Sequence, residues 1–319
     1  MQNKLTADSP TPGLDQQLAR YPNLQRMVTR QLELTPQHEP FFIRRFGQAT
    51  ADDLSSCDSL AHEIALLSGS KYDEFLLSYD FICKIQRDEE IYFRRNKSYR
   101  LNNFQEAIDT VYSNRPYMQQ YMRGLLVTQV YWSNHTASIG FYAKDFLGGN
   151  PAGYELLEIG PGHGLLLARA ISDKRAGRVT GWDLSQASLS ETREALAALG
   201  LKDGFSLEER NLFDAPKDIS FDAVVFSEVL EHLEEPERAL KAIRKVVRPG
   251  GRLFVNVPIN SPAPDHIFLL KSPEEAVAFV ERFGFKVERT GFFPATNYTL
   301  EQSRKHALTI SVCLIARAV

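Results

Sequence analysis

Cysteine is scarce in this 319-residue chain: Cys57, Cys83 and Cys313 are odd in number and widely separated. That excludes a disulfide framework and offers no zinc-ligand spacing. An excess of one charge is lacking too. Lys and Arg number 37 against 40 Asp and Glu, a net charge of −3, so nothing in the balance attracts nucleic acid or an anionic membrane. No apolar run approaches the roughly 20 residues that span a bilayer, and the polar start has no apolar signal core. The expected location is the cytoplasm. Internal repeats and low-complexity tracts are absent. What remains, 43% hydrophobic and 24% charged residues, is the composition of an ordinary globular protein with ample core.

Along the chain, residues 1–13 carry two prolines, Pro10 and Pro12, and read as a loose tail. Residues 14–34 show helical spacing interrupted at Pro22, and Glu39-Pro40-Phe41-Phe42 reads as a turn into something buried. Thr50 caps a helix over 52–68 with Leu54, Leu60, Ile64 and Leu67 on one stripe. Further helical patterns cover 71–96 and 103–112. An aromatic-rich segment, 117–147, follows, and Gly148-Gly149-Asn150-Pro151 reads as a linker. The expectation is an all-helical domain over 1–150 ahead of a second domain over 151–319.

That second domain is organised around Leu156-Leu157-Glu158-Ile159-Gly160-Pro161-Gly162-His163-Gly164, a buried strand breaking into a glycine-rich turn that opens a helix at 165–171. Glycines at alternating positions let the backbone approach a ligand, and a helix start presents unpaired N–H groups. Glu158 stands in an otherwise apolar strand, where an acid needs a partner. Strands are expected at 178–183, ending in Asp183, at 205–209 before Asn211-Leu212-Phe213, at 221–226 before Ser227-Glu228-Val229-Leu230-Glu231-His232, and at 252–257. A proline-stiffened loop, 258–266, ends in His266. Ser272-Pro273-Glu274-Glu275 starts a helix that closes at Gly284, strand character resumes over 285–289, and the last strand covers 308–316. Strands alternating with helices imply a mostly parallel, doubly wound sheet.

This ordered set of motifs resembles the class I S-adenosylmethionine (SAM)-dependent methyltransferases. The resemblance covers about half the chain, residues 151–319, and implies a Rossmann-like, seven-stranded sheet whose last strand is antiparallel. It also implies that the preceding helices cover the SAM pocket. In that frame Asp183 grips the ribose, Asn211, Leu212 and Phe213 serve the adenine, and Gly160 and Gly162 pass closest to the methionine moiety, with Glu158 at the end of the first strand. Pro161, Gly164, Leu184 and Ser227 complete the set implied for the cofactor. The structural alternatives are an acid that caps the next helix for Asp183, an anchor of the turn for Glu158, and a plain loop for 211–213.

Glu228, Glu231 and His232 stand at spacings that can converge on one face of a helical turn, with His266 arriving from the next loop. The pattern resembles that of metal-dependent ubiquinone-pathway O-methyltransferases and small-RNA 2′-O-methyltransferases. Many relatives carry a similar Glu-His pair without a metal, so the expectation is a metal-free site in which Glu228 and His232 are catalytic candidates, His232 or His266 acting as base. Two more candidates, Tyr131 and Asn134, come from the run Tyr131-Trp132-Ser133-Asn134-His135. Aromatic faces there suit a sulfonium cation; the plainer reading packs them between domains.

The leading expectation is methyl transfer from SAM to a small molecule, in secondary metabolism, by in-line displacement. No Asn/Asp-Pro-Pro-aromatic motif follows the fourth strand, which disfavours a nucleic-acid base as acceptor; neither nucleic acid nor a membrane is an expected partner. The alternative is a SAM cyclase of the azetidine-2-carboxylate synthase type, in which the SAM amine attacks its own γ-carbon and methylthioadenosine leaves. A SAM-binding protein without activity is the third reading, and the intact glycine turn argues against it.

Overall fold

Thirteen helices and seven strands make up the computed structural model, which describes residues 13–216 and 218–319. The expected loose tail therefore lies outside the described residues except for Gly13. The first half is helical throughout: α1 Leu14–Leu18, α2 Pro22–Leu34, α3 Glu39–Gly47, α4 Ala51–Ser68, α5 Tyr72–Asn96, α6 Phe104–Ala107, α7 Arg115–Tyr131 and α8 Ser133–Phe141. Thr50 caps α4 by accepting the Asp53 amide, as its hydroxyl and position anticipate. The turn expected at 39–42 is instead the start of α3. Pro40 sits in the first helical turn, where no N–H is needed, and Phe42 and Phe46, one turn apart, stack on the buried side. Wider π-type turns follow α6 at Ile108–Tyr112 and α8 at Tyr142–Phe146.

The second half alternates β1 Tyr154–Ile159, α9 Leu165–Ser172, β2 Ala176–Asp183, α10 Gln186–Ala198, β3 Phe205–Glu209, β4 Phe221–Ser227, α11 Pro236–Val246, β5 Val247–Ile259, α12 Pro273–Glu281, β6 Phe285–Pro294, α13 Leu300–His306 and β7 Ile310–Ala318. The sheet order is β3-β2-β1-β4-β5-β7-β6. β7 pairs antiparallel with both neighbours, and the pairings among the other strands are parallel. This is the Rossmann-like arrangement with an antiparallel last strand. β6 runs past the expected 285–289 because β7 offers it partners as far as Pro294. α13, which the reading of the sequence omits, begins with a reciprocal capping box between Thr299 and Gln302.

Alternating residues send the sheet's two faces into different cores. Leu157, Val224, Leu253 and Leu314 pack with Leu240 and Ile243 of α11 and Phe279 of α12. Leu156, Val225, Phe254 and Ile315 face the other way, into a cluster continuous with Phe42, Phe46, Tyr79 and Tyr131 of the helical half. The two halves thus share one core. α8 lies on the sheet along this face, with Asn134 bonded to Ser311 and Phe141 against Phe254 and Phe293.

Candidate functional site

In a parallel sheet the strand carboxyl ends and the helix starts that follow them form the ligand edge. β1 ends there in a turn whose Gly160 and Gly162 both have left-handed backbones, φ +69° and +49°, a conformation that side chains disfavour. A Cβ on Gly162 would meet nothing within 4 Å, so the turn borders open space. Glu158 is 3% exposed, and its Oε2 has no hydrogen-bond partner. Burial raises this carboxyl well above the ordinary carboxylate range. A buried acid facing no donor is a receptor for a cationic group, which fits the ammonium end of SAM.

Asp183 ends β2, accepting the Ser185 amide and the Ser188 hydroxyl, both at 2.9 Å. It therefore holds the start of α10, at the carboxyl end of β2. Leu184 beside it is 69% exposed, an apolar surface at the same edge. Asn211 spends its side-chain oxygen on the Phe213 amide at 3.0 Å, organising the short Leu212–Asp214 turn, while the half-exposed Phe213 ring lies under Arg238. Pro161 and Gly164 stay within the turn, and Gly164 N–H donates to the Pro161 carbonyl. Ser227, at the end of β4, accepts from Asn256 at 3.2 Å.

Of the aromatic run, His135 and not the tyrosine expected there comes near the turn. Tyr131 is fully buried between Phe42 and Tyr79, at 4.6 and 4.8 Å, and its hydroxyl donates to the Met27 carbonyl. It belongs to the helical core and does not reach the ligand edge, because α7 ends at Trp132 and only α8 crosses the sheet. Asn134 is likewise committed: its amide donates to Ser311 at 3.0 Å under 4% exposure, so it ties α8 to β7. His135 bonds Thr128 through Nδ1 at 3.0 Å and lies near His163 of the glycine turn. Burial lowers both imidazoles to about 4, the nearby His163 adding to the effect on His135. Both rings are therefore neutral at physiological pH. His135 stands in the run singled out above; His163 stands in the turn motif, with no local signal of its own.

Past β4 the chain does not form the helical turn expected for Glu228, Glu231 and His232. Glu228 takes a left-handed backbone, φ +53°, and a single 3₁₀ turn spans Leu230–His232. The side chains converge nonetheless. Glu231, His232 and His266 each place a ligand atom within 4.8 Å of the others. Glu231 is fully buried, and neither of its oxygens meets a donor. Glu228, which stays exposed, lies beside it as a second acceptor, and its backbone amide donates to the Asn256 carbonyl at 2.9 Å. Burial, with Glu228 alongside, pushes the Glu231 carboxyl well up. His232 Nδ1 lies 3.0 Å from the Asp265 carbonyl and its Nε2 lies 3.9 Å from Glu231. A carbonyl can only accept, so Nδ1 carries the proton and Nε2 keeps its lone pair, the arrangement of imidazoles that ligate metal. The sequence favours a metal-free site; the donor set that folding assembles, one buried acid and two imidazoles whose rings are oriented by carbonyls, fits a divalent cation.

Residues 157–253 match the family described as "Methyltransferase domain". A ubiquinone biosynthesis O-methyltransferase of Stutzerimonas stutzeri is 30% identical over 131 residues, covering 41% of this chain and 55% of that protein. One from Aromatoleum aromaticum is 33% identical over 132 residues, with the same coverage of 41% and 55%. The chain thus spans about half the length of the relatives it matches. Among solved structures, magnesium protoporphyrin IX methyltransferase (ChlM) from Synechocystis PCC 6803 with bound SAM is 17% identical, with a TM-score of 0.49 over 70% of this chain and 100% of that one. No helix among the described residues is long and apolar enough to cross a membrane.

Proposed function

The α/β half is a class I SAM-dependent methyltransferase domain, and from that premise we propose that the chain transfers the SAM methyl group to a hydroxyl oxygen of a small molecule, with a divalent cation beside the acceptor. The observation that carries this reading is the meeting of Glu231, His232 and His266 at the end of β4, one strand from the glycine turn. The name of the relatives supports oxygen as the atom modified. An acceptor of secondary metabolism is a narrower form of the same reading.

In this reading Glu158 takes the SAM ammonium, the glycine turn leaves room for the methionine chain, and Asp183 holds the ribose. The acceptor hydroxyl gives its proton to the exposed Glu228 carboxylate, its oxygen displaces the methyl group in line and S-adenosylhomocysteine leaves, the rate coming from alignment and exclusion of water. His135 and His163 stay neutral above the sulfonium. A divalent cation, when bound, would stabilise the acceptor oxygen as an alkoxide or phenoxide. Glu231, His232 and His266 would hold it, with the exposed Glu228 alongside.

Intramolecular cyclisation of SAM is the weaker reading, because it has no use for a cation ligand set. One experiment separates the two. The chelated protein is incubated with SAM alone, then with SAM, Mn²⁺ and a panel of hydroxylated aromatic acceptors, and products are read by mass spectrometry. Cation-dependent S-adenosylhomocysteine with a methylated acceptor is expected; methylthioadenosine from SAM alone would overturn the proposal in favour of the cyclase.

A further inference from the structure

Side chains of the helical half reach down onto a single loop of the α/β half, the 260–271 segment that carries His266. Gln86 of α5 donates to the Pro262 carbonyl at 2.8 Å, and the Tyr99 hydroxyl accepts the Ser261 amide at 3.2 Å. Tyr112 and Tyr121 then donate to the two different oxygens of Asp265, at 3.2 and 3.1 Å. Asp265 is 4% exposed, and a carboxylate so enclosed needs donors.

Asp265 is also the hinge of the cation site. Its carbonyl orients His232, its carboxylate lies 3.6 Å from the same Nδ1, and its chain neighbour is His266. The next two amides, of Ile267 and Phe268, both donate to the Glu231 carbonyl, at 2.8 and 2.9 Å. The loop is therefore stitched to the Glu231 turn from one side and to the tyrosines from the other. Without the phenols the Asp265 carboxylate would have to seek another donor. The His232 Nδ1–H lies 3.6 Å away, and capturing it would rotate that ring.

We propose that Tyr112 and Tyr121 are positioning residues of the cation site: by holding Asp265 they fix both imidazoles, so the helical half is a working part of that site as well as a cover. This rests on the cation reading above. A metal site tolerates little misplacement of its ligands, and loss of outer hydrogen-bond partners costs roughly 10–100-fold in metal affinity.

The test uses the full chain and Mn²⁺ alone, with free Mn²⁺ followed by electron paramagnetic resonance and SAM affinity measured separately by calorimetry. The Y112F/Y121F variant should bind Mn²⁺ at least about tenfold more weakly than the wild type while its SAM affinity stays within about twofold, since neither tyrosine touches the glycine turn. The single variants should each show a smaller loss; they carry the test if the double variant does not fold. Unchanged Mn²⁺ affinity in the variants, with the wild type binding, would overturn this inference alone. A wild type that binds no Mn²⁺ would overturn the cation reading and this inference with it.

Discussion

His266 places its Nδ1 2.6 Å from the carbonyl oxygen of Ser261. That oxygen can only accept, so the ring proton sits on Nδ1 and Nε2 is left as the nitrogen able to ligate. Burial lowers this imidazole to about 4, with His232 nearby adding to the effect, so it is neutral at physiological pH.

Replacing His266 by Gln removes one ligand while keeping a polar side chain of similar size. The expected result is a fall in cation-dependent activity of at least about tenfold, recovered in part at high Mn²⁺, with SAM affinity unchanged. A Mn²⁺ titration of product formation checks it; an unaltered half-saturation point would remove His266 from the ligand set.

Glu158 faces no donor in this structure, and SAM brings an ammonium. The E158Q variant keeps the shape and loses the charge, so SAM should bind roughly 10–100-fold more weakly, the range for a charge-assisted hydrogen bond. The fold should tolerate the change well, since a neutral amide is cheaper to bury than an unpaired carboxylate. Calorimetric titration with SAM, beside a thermal melt without it, reads both halves.

Tyr131 tests the correction made above. Y131F deletes a hydroxyl bonded to the Met27 carbonyl inside the helical core, which should cost about 1 kcal/mol of stability. SAM affinity should stay as it is. A loss of SAM binding without a loss of stability would return Tyr131 to the ligand edge.

Burying neutral His163 has a definite pH signature. The unfolded imidazole protonates near 6.5 and the folded one only near 4, so the unfolded chain binds more protons between those values. The contribution of His163 is full above pH 6.5 and is lost as pH falls toward 4, at up to about 1.4 kcal/mol per pH unit. Glu158 and Glu231, raised by burial, act with the opposite sign, which hides the effect in the wild type alone. Urea denaturation of the wild type and H163N from pH 7 to 4.5 isolates it. The difference in stability should shift against the wild type as pH drops; a constant difference would mean that the folded imidazole titrates normally.

Local chemistry determined much of this protein in advance. The apolar run into Gly160-Pro161-Gly162, the acid ending β2, the caps at Thr50 and Ser272 and the alternation of strands with helices are short-range signals, because hydrogen bonding, backbone freedom and side-chain period act within a few residues. They suffice for the Rossmann-like half and the place of its ligand edge. The sequence also holds Glu228, Glu231, His232 and His266 as candidates, yet spacing cannot say whether they meet. Their convergence depends on the loop 260–271 being pinned to the Glu231 turn by the Ile267 and Phe268 amides, and on tyrosines 153 and 144 residues away from Asp265 in sequence. The fate of the aromatic run was decided in the same way. Helical period puts Tyr131 and His135, four residues apart, on one face, but that Tyr131 meets the helical core while His135 lies near the glycine turn follows from the break at Trp132 and the seating of α8 on the sheet. Such choices are made by packing both halves around one continuous core, and no window of sequence contains that information.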